Sequence, residues 1–244
     1  MPRSTPYEVE FVTESDALAG IVGISYDERH GHLGAFLAAQ RSARQGRGLT
    51  LEDLCNWQRA IAEEQQVHGY PLAPQGAGSL RSPELAGDVA ALLAELNANI
   101  ATYAFRQTPM SAVAAVIGDT HSRVSVVAPF RFANGRVCRL LANYIASACR
   151  IPILVFRSTD EHALAEAGQR LDMRVLVARK IREAVFDRYG QLMRRVAEYG
   201  LSDRYRGPEG DTQLVVEWHE LVEAVDAWHQ GERAQPYSLV PTSW

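Results

Sequence analysis

Cysteine is scarce in this chain, with only Cys55, Cys138 and Cys149 among 244 residues. They form no CxxC pair, and an odd number closes no disulfide framework, so stability has to come from a packed core in a reducing compartment. No apolar run reaches the roughly 20 residues that a membrane-spanning helix needs. Met1 to Tyr26 mixes charges and prolines instead of carrying a continuous apolar segment. The expectation is a protein without a membrane partner, cytoplasmic where it is made, with secretion as an effector the other route. Positive charge is not in excess either: 25 Lys and Arg against 29 Asp and Glu leave a net −4. That balance excludes broad nonspecific binding to nucleic acid or anionic lipid. The GxxxxGK[ST] phosphate loop is absent. The pair in His30-Gly31-His32 has no third ligand at fixed spacing, so it reads as a polar loop and no metal is assigned to it.

What is present is helix. Apolar residues make up 47% of the chain and charged ones 22%, enough to bury a full core. Helical periodicity runs from Ala35 to Ala43 and from Thr50 to Val67, the second opening on a capping sequence, Thr50-Leu51-Glu52-Asp53. Gly69 to Pro83, rich in proline and glycine, breaks regular structure and reads as an exposed loop or short hairpin. Pro83 to Tyr103 and Met110 to Val127 carry the two central core helices. Ile151 to Phe156 is a short apolar connector or strand. Further helical patterns follow at Asp160 to Arg170, Val175 to Tyr199 and Leu214 to Trp228. Arg179, Lys180, Arg182, Arg188, Arg194 and Arg195 read as the solvated face of an amphipathic helix, and His219 and His229, beside Trp218 and Trp228, as packing residues. The fold class is mainly α.

The most informative stretch is Ala128-Pro129-Phe130-Arg131-Phe132-Ala133-Asn134-Gly135-Arg136-Val137-Cys138-Arg139. From Val137 onward Leu140, Leu141, Tyr144, Ile145 and Ala148 recur at helical spacing, placing Asn134, Gly135 and Arg136 at a helix N-terminus. Free amides and the helix dipole attract anions there. Gly135 removes bulk where a ligand approaches the backbone, and Arg136 and Arg139, three apart, can fork onto phosphate oxygens. The local design suits a polyphosphate, with Pro129 and Phe130 shaping and anchoring the loop.

This stretch resembles the signature of the Fic (Fido) family: His-Pro-Phe, two residues, Gly or Ala, then Asn-Gly-Arg and a second Arg three places on. The resemblance implies a Fic-fold helical bundle with a short β-hairpin flap, its core at residues 50–157, an N-terminal helical segment at 1–49 and a C-terminal helical extension at 158–244. In the family the His is the general base and the acidic residue before the Gly or Ala holds magnesium. Here those positions are Ala128 and Phe132, which offer no lone pair to a proton or a metal. The phosphate-binding residues carried over are Asn134, Gly135, Arg136 and Arg139. His121, seven residues before Ala128, matches a His that recurs on the helix leading into the signature and is expected to be structural. The flap, which pins a target segment by main-chain pairing, corresponds to Gly69 to Ser82, with Gly78, Ser79, Leu80 and Arg81 as docking residues. A second family motif is an inhibitory helix, Ser or Thr, three residues, Glu, then Gly or Asn. It aligns with Ser15, Ala19 and Gly20, with Ala19 where the Glu belongs, which would leave Arg139 without a carboxylate and its subsite open. The other reading of Ser15 is an N-cap of a short helix.

By resemblance the activity is transfer of AMP from ATP to a Ser, Thr or Tyr hydroxyl of a target protein, with magnesium as the family's metal although its usual ligand is missing. Losing a general base costs roughly 10²–10⁴-fold in rate, so the chain is expected to bind nucleotide and turn over very slowly or not at all. The alternatives are a nucleotide-binding pseudoenzyme or interaction module, and transfer of UMP, phosphocholine or phosphate. The sequence leaves open the target, a small regulatory protein supplying the inhibitory Glu in trans, self-association, and whether Ala128 is native or introduced.

Overall fold

The computed structural model describes residues 6–23, 25, 29–68, 76–103, 110–160 and 173–198. Within them lie seven α-helices: α1 (Pro6–Ala17), α2 (His30–Arg44), α3 (Leu51–Val67), α4 (Leu85–Tyr103), α5 (Met110–Val127), α6 (Asn134–Ala148) and α7 (Met173–Glu198). A short 3-10 turn at Ser158–Asp160 lies between α6 and α7. There is no strand among the described residues, so the expected hairpin flap is not seen there. Expected helices at 160–170 and 214–228 fall almost wholly outside the described residues, as do His219 and His229. None of the described helices is long and apolar enough to cross a membrane.

The capping box at Thr50 forms as its sequence dictates. The Thr50 hydroxyl accepts from the Asp53 amide at 3.2 Å, and the Asp53 carboxylate accepts from the Thr50 amide at 2.9 Å. Two orphan donors are thereby satisfied, and α3 turns Leu54, Trp57 and Ile61 into the core. Helix α2 begins earlier than its apolar pattern suggests, because His30, Gly31 and His32 form its first turn rather than a polar loop. The cause is close packing: a Cβ at Gly31 would lie 2.1 Å from the Ala60 carbonyl oxygen of α3. Only glycine lets the two helices approach so closely.

At the centre stands α6. Every residue from Arg136 to Ala146 is buried, and α2, α3 and α5 pack around it. A helix enclosed on all sides must be apolar or have its polar groups paired. Asn143 fulfils that condition by pinning the connector after α6: its carbonyl oxygen accepts from the Leu154 amide at 2.8 Å and its amide donates to the Leu154 carbonyl at 3.0 Å. Residues 151–156 are accordingly an apolar connector without strand pairing, with Leu154 and Phe156 buried. On α7, Lys180 is not solvated as expected. It is buried against Asp160 and Glu183, whereas Arg179 remains half exposed.

Candidate functional site

The signature loop spans residues 128–133 between α5 and α6. Two of its residues adopt left-handed backbone, Ala128 at φ 43° and Ala133 at φ 64°. Such conformations strain any residue with a Cβ, and large or branched side chains most, which explains why a small residue stands at 133. Phe130 is fully buried and anchors the loop in the core. Asn134 then closes it: its side-chain oxygen accepts from the Phe130 amide at 2.9 Å, and its side-chain nitrogen donates to the Phe130 carbonyl at 2.7 Å. Both ends of that amide are spent on the loop itself, so Asn134 shapes the cradle. The hydrogen bond that opens α6 runs from the Val137 amide back to the Ala133 carbonyl at 3.0 Å. The amides of Asn134, Gly135 and Arg136 are the orphans of that helix start. At Gly135 a Cβ would sit 3.3 Å from an Arg139 guanidinium nitrogen, so the glycine makes room for the arginine.

Arg136 and Arg139 come together as the spacing predicts, but inward. They are 3% and 6% exposed. Arg139 donates through Nε to the Ser15 hydroxyl at 2.8 Å and through Nη2 to the Ser15 carbonyl at 2.7 Å. Burial, followed by the charge of Arg136, lowers its pKa to about 10, which leaves it protonated at neutral pH. Its surroundings are therefore filled by α1, not open. Ser15 lies in the last turn of α1 and caps no helix N-terminus. The end of α1 presents the Ser15 carbonyl and the negative pole of a helix dipole to the guanidinium, while the Glu14, Asp16 and Ala17 carbonyls accept from the amides of residues 18–21. Ala19 is exposed, its amide donating to the Asp16 carbonyl, and Gly20 follows in a turn at φ 73°.

Asp16 was not singled out by the sequence, yet it is the hub. Its carboxylate meets Arg29 at 2.5 Å, His32 Nδ1 at 2.9 Å and Arg136 at 3.5 Å, with all four side chains at most 5% exposed. Burial alone would raise the Asp16 carboxyl, but the His32 hydrogen bond and the nearby arginines outweigh it and hold the pKa below 3.8. His32 moves downward, chiefly through burial and also through Arg136 and Arg139. It is thus a neutral imidazole donating from Nδ1, with Nε2 bare. The His32 main-chain amide donates to Glu64 at 2.9 Å. His121 is buried beside Phe156, and burial drives its pKa to about 3. It is a neutral structural histidine facing the Ser125 hydroxyl at 3.4 Å. No local pattern links positions 16, 29, 32, 64 and 136.

The described residues do not fit a magnesium ion at this loop. Phe132 occupies the acidic position, Asp16 is already shared among three partners, and no group of three His, Cys, Asp or Glu side chains is placed to hold a metal. Beside the loop, residues 76–81 form turns. The Arg81 amide donates to the Pro129 carbonyl at 2.8 Å and its guanidinium to the Val127 carbonyl at 3.2 Å.

A helical bundle built round α6, with a loop of left-handed residues at the α6 N-terminus, has the fold of Fic-domain proteins. It is similar to a Fic domain containing signaling protein from Bacteroides thetaiotaomicron, at 17% identity and a TM-score of 0.54, over 73% of this chain and 85% of that one. It is similar also to Fic-1 from C. elegans, at 19% identity and a TM-score of 0.56, over 78% of this chain and 64% of that one. No family model and no curated protein matches the sequence.

Proposed function

We propose that this chain is a Fic-type nucleotide-binding protein, built as a protein AMP transferase and impaired in transfer by Ala128. The observation that carries the reading is the loop: two left-handed residues, the Asn134 staple and Gly135 leave the first amides of α6 beside the Arg139 guanidinium. Those donors suit the charge of a nucleotide's phosphates. Arg136 and Arg139 would add charge-assisted hydrogen bonds when the end of α1 yields them. With Ala128 in place of a proton acceptor, a target hydroxyl finds no base in the loop, so bound ATP persists. No step is assigned to a metal.

The test joins binding and chemistry. Calorimetry with ATP is expected to give saturable heat in the parent chain. Ala128→His is then expected to raise transfer of radiolabelled AMP to protein hydroxyls by roughly 10²–10⁴-fold. Histidine is among the residues that tolerate left-handed backbone, so the substitution suits φ 43°. Binding without any gain from ATP, UTP or CDP-choline favours the pseudoenzyme, and absence of ATP heat overturns the reading.

A further inference from the structure

We propose that the turn beside the signature loop recognises an acidic segment of a partner protein through Arg59, Arg81 and Arg131. This rests on the reading of the loop as a transfer site and names the chemistry of its partner. The three arginines come from separate parts of the chain, α3, the 76–81 turn and the signature loop, and the turn gathers them. A Cβ at Gly78 would lie 2.6 Å from Arg59 Nε, and one at Gly76 would lie 3.7 Å from Arg131 Cδ. Both glycines also have left-handed backbone, at φ 72° and 110°. The Arg59 and Arg131 side chains therefore lie directly against the turn's backbone, and Arg81 follows three residues after Gly78.

All three arginines are exposed, and none has a carboxylate partner among the described residues. The contacts of Arg59 are neutral, to Asn56 at 2.7 Å, as is that of Arg81 to the Val127 carbonyl. Elsewhere exposed arginines of this chain do find acids: Arg47 with Asp53, Arg123 with Glu95, Arg174 with Asp119. In a chain of net charge −4, three exposed guanidinium groups that meet no carboxylate among the described residues, gathered beside one loop, give a local positive potential that attracts anions. Their planar forks match carboxylates.

Main-chain pairing is a poor alternative at this turn. The Gly78 amide donates to the Gln58 side chain, the Ser79 amide to the Gly76 carbonyl and the Arg81 amide to the Pro129 carbonyl. Three amides of residues 76–81 are committed in this way, which makes side-chain charge the stronger handle for a partner at this turn. The acidic residues of the partner would flank the hydroxyl that reaches the loop.

The test uses the full chain and fluorescence anisotropy with labelled peptides of equal length, each a central tyrosine flanked by glutamate, glutamine or lysine, and with oligothymidylate. The glutamate peptide is expected to bind roughly tenfold more tightly than the glutamine peptide at low salt, the gain that three exposed charge pairs give. The preference should fade as salt screens the pairs. Arg59→Gln/Arg131→Gln should abolish it while leaving the circular dichroism melt and the ATP calorimetry of the parent unchanged, which separates this proposal from nucleotide binding. Equal binding of the glutamate and glutamine peptides, an undiminished preference in the double variant, or tighter binding of oligothymidylate would overturn it. Should the double variant fail to fold, the salt dependence and peptide ranking of the parent chain decide.

Discussion

Replacing Asp16 with alanine removes from the interior the carboxylate that Arg29 and Arg136 share. Arg29 and Arg136 are 4% and 3% exposed, and the lost carboxylate is the acid both of them contact. Removing one member of a buried ion pair costs about 3–5 kcal/mol, because the remaining charge keeps its desolvation penalty. Asp16→Asn should lose less, since its oxygen can still accept from His32 or one guanidinium. For a domain of this size each kcal/mol lowers Tm by about 2–4 °C, so the alanine variant should melt about 6–20 °C below the parent. Urea unfolding followed by circular dichroism gives the free energy directly. In a double-mutant cycle with Arg29→Met, the pair should lose clearly less than the sum of the singles, because both substitutions delete the same buried ion pair. Strict additivity, or a loss below about 1 kcal/mol of the kind seen for surface pairs, would refute the claim that a buried ionic hub seats α1 on α6.

Three further outcomes follow from the same geometry. Asn134→Ala deletes both bonds to the Phe130 backbone and should cost about 1–3 kcal/mol while reducing the heat of ATP binding; unchanged stability would mean the loop holds its shape without that staple. Ala133→Val, forced to φ 64°, should lose about 1–2 kcal/mol, while Ala133→Gly should stay within about 1 kcal/mol of the parent; equal losses in urea titrations would argue against a left-handed residue there. Stability should also fall on acidification. His32 and His121 have folded pKa values below 6.5, so under pH 6.5 the unfolded chain binds protons that the folded chain refuses, at a cost on the order of 1 kcal/mol per pH unit for each. For His121 this window extends down to about pH 3. Asp16 adds a second loss below pH 3.8, because its depressed pKa stabilises the fold only while the carboxylate stays ionised. Urea midpoints that do not change between neutral pH and pH 5 would contradict the buried, neutral histidines.

The helices of the core were legible because periodicity and capping are local. Thr50 and Asp53 announce α3, and the stripe from Val137 to Ala148 announces α6, whose loop carries its signature in consecutive residues. Arg136 and Arg139 share one end of α6, as their spacing implies, but both are buried. Asp16 was not legible, because it meets Arg136 across more than a hundred positions, and Ser15 came beside Arg139 only through the family's inhibitory motif. Sequence spacing says which side chains share a helix face but not what covers that face. The same limit hid α2's first turn: His30, Gly31 and His32 look polar and loop-like until Gly31 is seen pressed against the Ala60 carbonyl. Lys180 appeared solvated among its charged neighbours, whereas Asp160, from the turn before α7, pairs with it in the interior.

On the proposed function, the α6 N-terminus cradles nucleotide phosphates. Amide chemical shifts of an isotope-labelled chain titrated with ATP test it most directly. The Gly135 and Arg136 amides and the Arg139 Nε–H should move together and saturate, with surface amides far from the loop unmoved. Shifts that spare Gly135 at saturating ATP, or that appear only elsewhere, would contradict it.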